Sequence, residues 1–218
     1  MIPIAREGWP VIGMAAGVLG VVGVVGAAAG HPVALLPLVI GVGFCLYFFR
    51  DPERLPPPGD GLVVSPADGR VLEVVPGREE QFLHAPATRV SIFMSPLDVH
   101  VNRSPVTGTI ELVRHTAGKF RAAFADKASL DNERNAVVLE SGGLRYVVVQ
   151  IAGALARRIV CARRPGDRLT RGERFGMIMF GSRVDVFLPP GVEPRVARGD
   201  RVTAGQTVIA ELVHGAPA

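Results

Sequence analysis

Residues 165–181 read PGDRLTRGERFGMIMFG, and residues 198–215 read RGDRVTAGQTVIAELVHG. The two stretches match at an offset of 33 residues. Each holds Gly-Asp-Arg, an aliphatic residue, Thr and a glycine two positions on. Each then enters an apolar, strand-like run. A tight turn of this kind needs glycine for backbone reasons. A turn–strand unit present twice points to a small pseudo-symmetric barrel or sandwich, and two copies are too few for a solenoid.

The chain around these units agrees. Residues 61–75 (GLVVSPADGRVLEVV), 88–95 (TRVSIFMS), 135–141 (NAVVLES) and 144–153 (LRYVVVQIAG) are short β-branched runs broken by turn residues. Their alternation and close spacing predict strands. Asp68-Gly69 is a hairpin signal. The predicted fold class is mainly β (α+β), with turns like those of biotinyl/lipoyl-type barrels, preceded by an N-terminal helical membrane hairpin.

That hairpin is read from charge. Residues 9–29 carry no charged side chain over 21 positions, and residues 33–49 none over 17. The first run makes a helix of about 31 Å, the thickness of a bilayer's hydrocarbon, and the second sits at the short limit for a span. Gly30-His31-Pro32 between them stops one helix and restarts the next. A cleaved signal peptide fits less well, because Glu7 offsets Arg6 and a second apolar run follows at once. Two buried core helices fit poorly as well. The remaining residues, about 170, are too few to wrap helices apolar on every face. Arg6, Arg50 and Arg54 flank the apolar block, and the loop between the runs has only His31. This bias places the C-terminal domain on the cytoplasmic side. The net charge of +4 suits an anionic lipid surface but is also ordinary for a soluble protein. Cys45 and Cys161 suggest neither a disulfide framework nor a metal site. RDPERLPPPGDG (residues 50–61) is a stiff Pro-rich linker, so the domains read 1–49, 50–61 and 62–218.

Residues 177–191, MIMFGSRVDVFLPPG, raise the chemical question. Gly181-Ser182 between apolar runs is by pattern alone a bend between strands. The alternative is self-modification. A serine Oγ can attack the carbonyl carbon ahead of it and replace the amide by an ester. A fold promotes this by straining the peptide and stabilising the oxyanion. Elimination then breaks the chain and leaves dehydroalanine, which hydrolyses to a pyruvoyl group. That carbonyl forms a Schiff base with an amine and acts as an electron sink when CO2 leaves.

Six stretches carry a resemblance that bears on this choice: FFRDPER (48–54), SPADGRV (65–71), FMSPLDVHVNRSPVTG (93–108), GKFRAAFADKASLDNERN (118–135), QIAGALARRIVC (150–161) and FGSRVDVFLP (180–189). In this order they resemble the phosphatidylserine decarboxylases, in particular their short form. The resemblance implies self-cleavage between Gly181 and Ser182, giving a β chain of residues 1–181 and an α chain of 182–218 headed by a pyruvoyl group from Ser182. It implies conversion of phosphatidylserine to phosphatidylethanolamine and CO2, with no metal and no pyridoxal phosphate. The partners implied are the lipid substrate, membrane lipid, and the chain's own β and α fragments as a heterodimer or a higher oligomer of it, without nucleic acid. The location implied is the cytoplasmic (inner) membrane.

The resemblance also gives roles to residues whose pattern leaves them open. Asp68 is a turn former in ADGR, or it orients the base that activates Ser182. His100, alternating with Val99 and Val101, is a structural histidine or that base, with imidazole suited to proton transfer near neutral pH. Long-form relatives carry a second histidine three positions later, where this chain has Arg103. That arginine is a solvated strand end or a ligand for substrate carboxylate or phosphate. Lys119, Phe120 and Phe124 lie in a mixed-charge loop that the resemblance places beside the active site, with Asn132, Glu133 and Asn135 ordering it. The rival readings are decarboxylation of another serine-headed lipid, a serine-based membrane peptidase, and a non-enzymatic membrane-anchored adaptor with a lipoyl-like barrel.

Overall fold

The computed structural model describes residues 3–118, 132–153, 158–179 and 182–213. The chain forms two units, Met1–Glu53 and Arg54–Ala218.

In the first unit, α1 (Trp9–Ala28) starts with Pro10 in its first turn, where the missing N–H costs nothing. It ends at Gly30, whose φ of 88° only glycine adopts freely. A short 3-10 turn (Pro32–Leu35) leads into α2 (Leu36–Phe48). The helices pack closely: a Cβ at Gly41 would lie 2.6 Å from Leu19 Cδ1. Backbone bonds from Ala5 N–H to Phe49 O (2.8 Å) and Asp51 N–H to Pro3 O (2.7 Å) tie the two ends of the hairpin. Met14, Val18, Val21, Val25, Val39 and Ile40 are exposed. The helical stretch Arg6–Ala28, 23 residues, is long and apolar enough to cross a bilayer, and Pro32–Phe48 is shorter.

The second unit is built of strands. An eight-stranded antiparallel sheet curls into a half-barrel in the order β13 (Arg201–Val202), β2 (Gly69–Glu79), β3 (Ala85–Met94), β11 (Ser182–Leu188), β7 (Leu144–Ala152), β6 (Arg134–Ser141), β5 (Gly108–Thr116), β9 (Arg168–Leu169). Two three-stranded sheets complete it. One is β1 (Leu62–Val64), β14 (Val208–Leu212), β12 (Val192–Pro194). The other is β4 (Val101–Arg103), β10 (Arg174–Ile178), β8 (Ile159–Cys161). The main core, with Val63, Val90, Ile92, Leu139, Val148, Phe175, Val184 and Ile209, joins residues of all three sheets. Strand alternation sends Val184, Val186 and Leu188 of β11 into it. Phe187 packs instead on a smaller cluster of Ala136, Val138, Val147 and Ile151 on the outer face.

The expected pseudo-symmetry is present and runs deeper than the one repeat. Ser65-Pro66-Ala67-Asp68-Gly69 and Ser104-Pro105-Val106-Thr107-Gly108 form a second pair, 39 residues apart. Ser65 Oγ donates to Ala67 O (2.6 Å), and Ser104 Oγ donates to Val106 O (2.7 Å). Val64 N–H donates to Pro105 O, and Arg103 N–H to Pro66 O, both at 2.9 Å. Gly205 N–H donates to Ser65 O (2.7 Å), and Gly172 N–H to Ser104 O (2.8 Å). The repeated Gly-Asp-Arg turns do likewise: Gly199 N–H donates to Val71 O, and Gly166 N–H to Ile110 O, both at 2.8 Å. The half-barrel thus consists of two interlocked copies of one motif.

Asp68-Gly69 does not make the expected hairpin. β1 pairs with β14, while β2 pairs with β3 and β13. The reason is a crossing of backbones. Gly69 lies against the carbonyl of Phe93, so a Cβ would come within 1.9 Å of that oxygen. Gly108 meets Glu140 O in the same way, at 2.2 Å. Gly69→Ala and Gly108→Ala should each destabilise the detergent-solubilised chain by about 3 kcal/mol. Gly77→Ala, whose Cβ meets nothing within 4 Å, should leave the melting temperature unchanged in the same thermal scan.

Candidate active site

Ser182 opens β11, the strand held between β3 and β7. Its backbone faces Met94 on one side and Ala152 on the other. The side chain shares its face with Val184 and is fully buried. Its Oγ donates to the thioether of Met94 at 3.3 Å. The next residue points to the opposite face. There Arg183 Nε donates to Asp185 Oδ1 (2.6 Å), and its Nη2 to Glu73 Oε1 (3.0 Å) and Ser91 Oγ (2.7 Å). These bonds pin the start of the strand.

Met94 is followed by a tight turn. Ser95 N–H donates to Asp98 Oδ2 (2.8 Å), and Asp98 N–H to Ser95 O (2.9 Å). The turn delivers His100, also fully buried. Its Nδ1 lies 2.9 Å from the Asp98 carbonyl oxygen. A carbonyl only accepts, so in the neutral ring Nδ1 carries the hydrogen and Nε2 carries the lone pair. That is the tautomer a general base requires.

Asp68 is placed differently from an orienting group for His100. Its carboxylate receives both Arg54 Nη1 (2.5 Å) and Nη2 (2.7 Å), and Ala204 N–H (2.8 Å). Arg54 Nη1 also donates to Ala204 O (2.9 Å). The other half of the barrel explains the arrangement, since Thr107 Oγ1 there receives Arg171 N–H at 3.0 Å. Asp68 braces its turn as Thr107 does, and adds a bidentate ion pair to the guanidinium. Arg103 is also buried. Its Nη1 donates to Gly172 O (3.0 Å), and Gly205 gives its stem room. Gly181, Lys119, Phe120 and Phe124 lie outside the described residues.

Asn132 Nδ2 donates to the carbonyl of Ala152 (2.7 Å), the residue opposite Ser182, and Ala152 N–H donates to Glu133 O (2.9 Å). Beside them lie Asn135 and three groups that the sequence did not single out: Met94, Asn102 and Gln150. Gln150 Nε2 donates to Asn102 Oδ1 (2.8 Å), and Asn135 Nδ2 to Gln150 Oε1 (2.9 Å). The available signal was an amide at inward parity in the apolar runs VHVNR and VVVQIA. Arg54 was hidden by its place in a proline-rich stretch. Burial pushes the Cys161 thiol up from its ordinary range, with hydrogen bonds to Arg163 and Asn135 opposing. It is therefore a poor nucleophile. Among the described residues no three His, Cys, Asp or Glu side chains gather as a metal site. A cavity of about 340 Å3 opens on the outer face of the half-barrel, lined by Phe82, Ala136, Ile151, Phe187, Arg89 and Arg114. None of the described candidate residues lines it, and Ser182 is on the other side of the sheet.

The half-barrel and its buried polar groups belong to an enzyme of the carboxy-lyase class. The phosphatidylserine decarboxylase family model matches residues 42–210, most of the chain, and the protein belongs to that family.

Removing Arg54 leaves a half-buried carboxylate without its counter-ion, a loss of about 2–3 kcal/mol. Arg54→Met should therefore lower the melting temperature markedly, Arg54→Lys less so. Arg54→Met combined with Asp68→Leu should recover much of the loss in the same thermal-unfolding measurement.

Proposed function

We propose that this chain cuts itself between Gly181 and Ser182, and that the product decarboxylates phosphatidylserine to phosphatidylethanolamine and CO2. The observation that carries the reading is Ser182 itself. It is a buried hydroxyl at the first position of the central strand, inside the family match, with backbone pairing on both sides. A hydroxyl so placed has no role in a surface bend.

The residues divide the work as follows. Ser182 Oγ attacks the Gly181 carbonyl carbon. Nε2 of His100 takes the hydroxyl proton and returns it to the departing amide nitrogen, with the Asp98 carbonyl holding the ring in the required tautomer. The Asp68–Arg54 pair holds the Ala204 turn. Arg103, buried against Gly172, braces the strand that carries Asn102, and it stands with Lys119, Phe120 and Phe124 as a candidate for holding the substrate. The fit of a pyruvoyl group rests on the first position of β11, where a carbonyl in place of Ser182 is fixed by the pairing with Met94 and Ala152. When formed, that carbonyl takes up the substrate amine and withdraws electrons as the carboxylate leaves. His100 is then available to return a proton to the substrate carbon.

The apolar hairpin suits a diacyl substrate. Each CH2 exposed to water costs about 0.8 kcal/mol, so the reaction belongs at the surface of the cytoplasmic membrane, with the half-barrel on the cytoplasmic side.

Mass spectrometry of the purified protein should find two chains, residues 1–181 and 182–218, the smaller with a blocked N-terminus. Ser182→Ala should give one uncut chain that releases no CO2 from phosphatidylserine vesicles. His100→Ala should slow cutting, turnover or both. A fully active preparation made only of unbroken chain overturns the reading, and an inactive uncut one favours the membrane adaptor. Without residues 1–49, the protein should move from the membrane to the soluble fraction.

A further inference from the structure

Three amides cross the inside of the half-barrel beneath Ser182. Asn135, Gln150 and Asn102 come from β6, β7 and β4, and none is more than 3% exposed. Buried amides are unfavourable unless hydrogen-bonded, and an aliphatic trio would pack this end without difficulty. Their bonds all run in one direction. Asn135 gives its NH2 to Gln150 Oε1, and Gln150 gives its NH2 to Asn102 Oδ1. The oxygens of Gln150 and Asn102 each receive the NH2 of the preceding amide, so the amide dipoles align and polarise one another. Gly176 keeps the line in place, since a Cβ there would lie 3.0 Å from Gln150 Nε2 and 2.3 Å from Val160 O.

The line ends at Asn102. With its oxygen engaged by Gln150, its NH2 must face the other way, and there its contacts among the described residues are long. These are Met94 Sδ at 3.8 Å, a weak acceptor, and Pro66 O at 3.5 Å. The same sulfur receives the hydroxyl of Ser182. A polarised donor without a strong acceptor thus shares one thioether with the residue at the proposed scissile bond.

We propose that the Asn135–Gln150–Asn102 line is a positioning device for self-cleavage. It seats the Met94 sulfur that holds the Ser182 hydroxyl, the group that would attack, and it turns an NH2 group toward that same sulfur. The inference rests on the reading that the chain cuts ahead of Ser182. In that step the Oγ–H bond breaks and its proton passes to a base. The Oγ–C bond to the Gly181 carbonyl carbon forms, the C–N bond breaks, and the amide nitrogen takes up the proton. That step is an isomerisation and needs no co-reactant. The chain then parts by elimination, in which the Ser182 Cα–H and Cβ–Oγ bonds break, the Cα–Cβ double bond forms and Gly181 leaves as a carboxylate. Water converts the dehydroalanine to pyruvoyl with release of ammonia. Asn102, Gln150 and Asn135 act through position and polarity and exchange no proton.

The test follows the cutting rate of the newly translated full-length chain in detergent, by mass and gel, for the wild type, Asn102→Leu and Gln150→Glu. Asn102→Leu should fold, by its melting temperature, and cut about 100-fold more slowly, the scale of losing one well-placed donor. Gln150→Glu is the sharper arm. Its new carboxyl donates to Asn102 Oδ1 only when protonated, and burial raises its pKa. The ratio of variant to wild-type rate should therefore rise at least about tenfold from pH 8 to pH 6, with the melting temperature of each sample read at the same pH. A role limited to packing produces no such rise. Wild-type cutting by folded Asn102→Leu, or a flat ratio for Gln150→Glu, overturns the inference. Should Asn102→Leu fail to fold, the Gln150→Glu ratio decides alone. A wild-type chain that never cuts removes the proposed function as well, whereas a cut wild type with unaffected variants removes only the amide line.

Discussion

Pairing on both edges of β11 is the constraint on which the rest depends. A strand at the edge of a sheet can shift its register or fray, but one with neighbours on both sides cannot. Met94 and Ala152 therefore fix the backbone of Ser182 from opposite sides. Alternation does the remainder, turning the hydroxyl inward with Val184 and sending Arg183 out to Asp185, Glu73 and Ser91. The polar end of the barrel is then assembled from strands remote in sequence, each contributing one side chain.

The two halves share a backbone plan and differ in what they hang on it. At matched positions Thr107 and Asp68 each accept a backbone N–H from a turn glycine's neighbour. Only Asp68 carries a charge, and only it has drawn in a guanidinium, that of Arg54. The corresponding half uses Arg171 to hold the carbonyls of Pro57, Gly59 and Leu62. A symmetric scaffold thus supports an asymmetric site, because a few side chains at equivalent turns take different partners.

Much of this fold was legible. The Gly-Asp-Arg repeat marked the turns because their left-handed glycines are strict requirements, and β-branched runs marked the strands. The companion Ser-Pro repeat is faint in the sequence, since only serine, proline and one glycine persist between its copies. Asp68-Gly69 was read as a hairpin because local sequence does not reveal that Gly69 lies beneath the Phe93 carbonyl. Strand order was illegible for the same reason, as β11 pairs with a segment 88 to 100 residues away (Ser182 with Met94, Leu188 with Thr88). Within the site, Ser182 and His100 have chemistry that marks them inside their stretches, whereas Asn102 and Gln150, in stretches of the same kind, gain meaning only from the hydrogen bonds that align them. Arg54 shows the limit of composition, which assigned it to a linker that the folded domain has absorbed.

The strand order has a further consequence for any break in the chain ahead of Ser182. The downstream piece would not be an appendage. Its β11 is laced between β3 and β7, its β13 lies along β2, and its β14 is inserted between β1 and β12. Only the last of these neighbours belongs to the same piece. A nicked molecule of this topology holds together as one body, and its two fragments part only when the whole weave is undone.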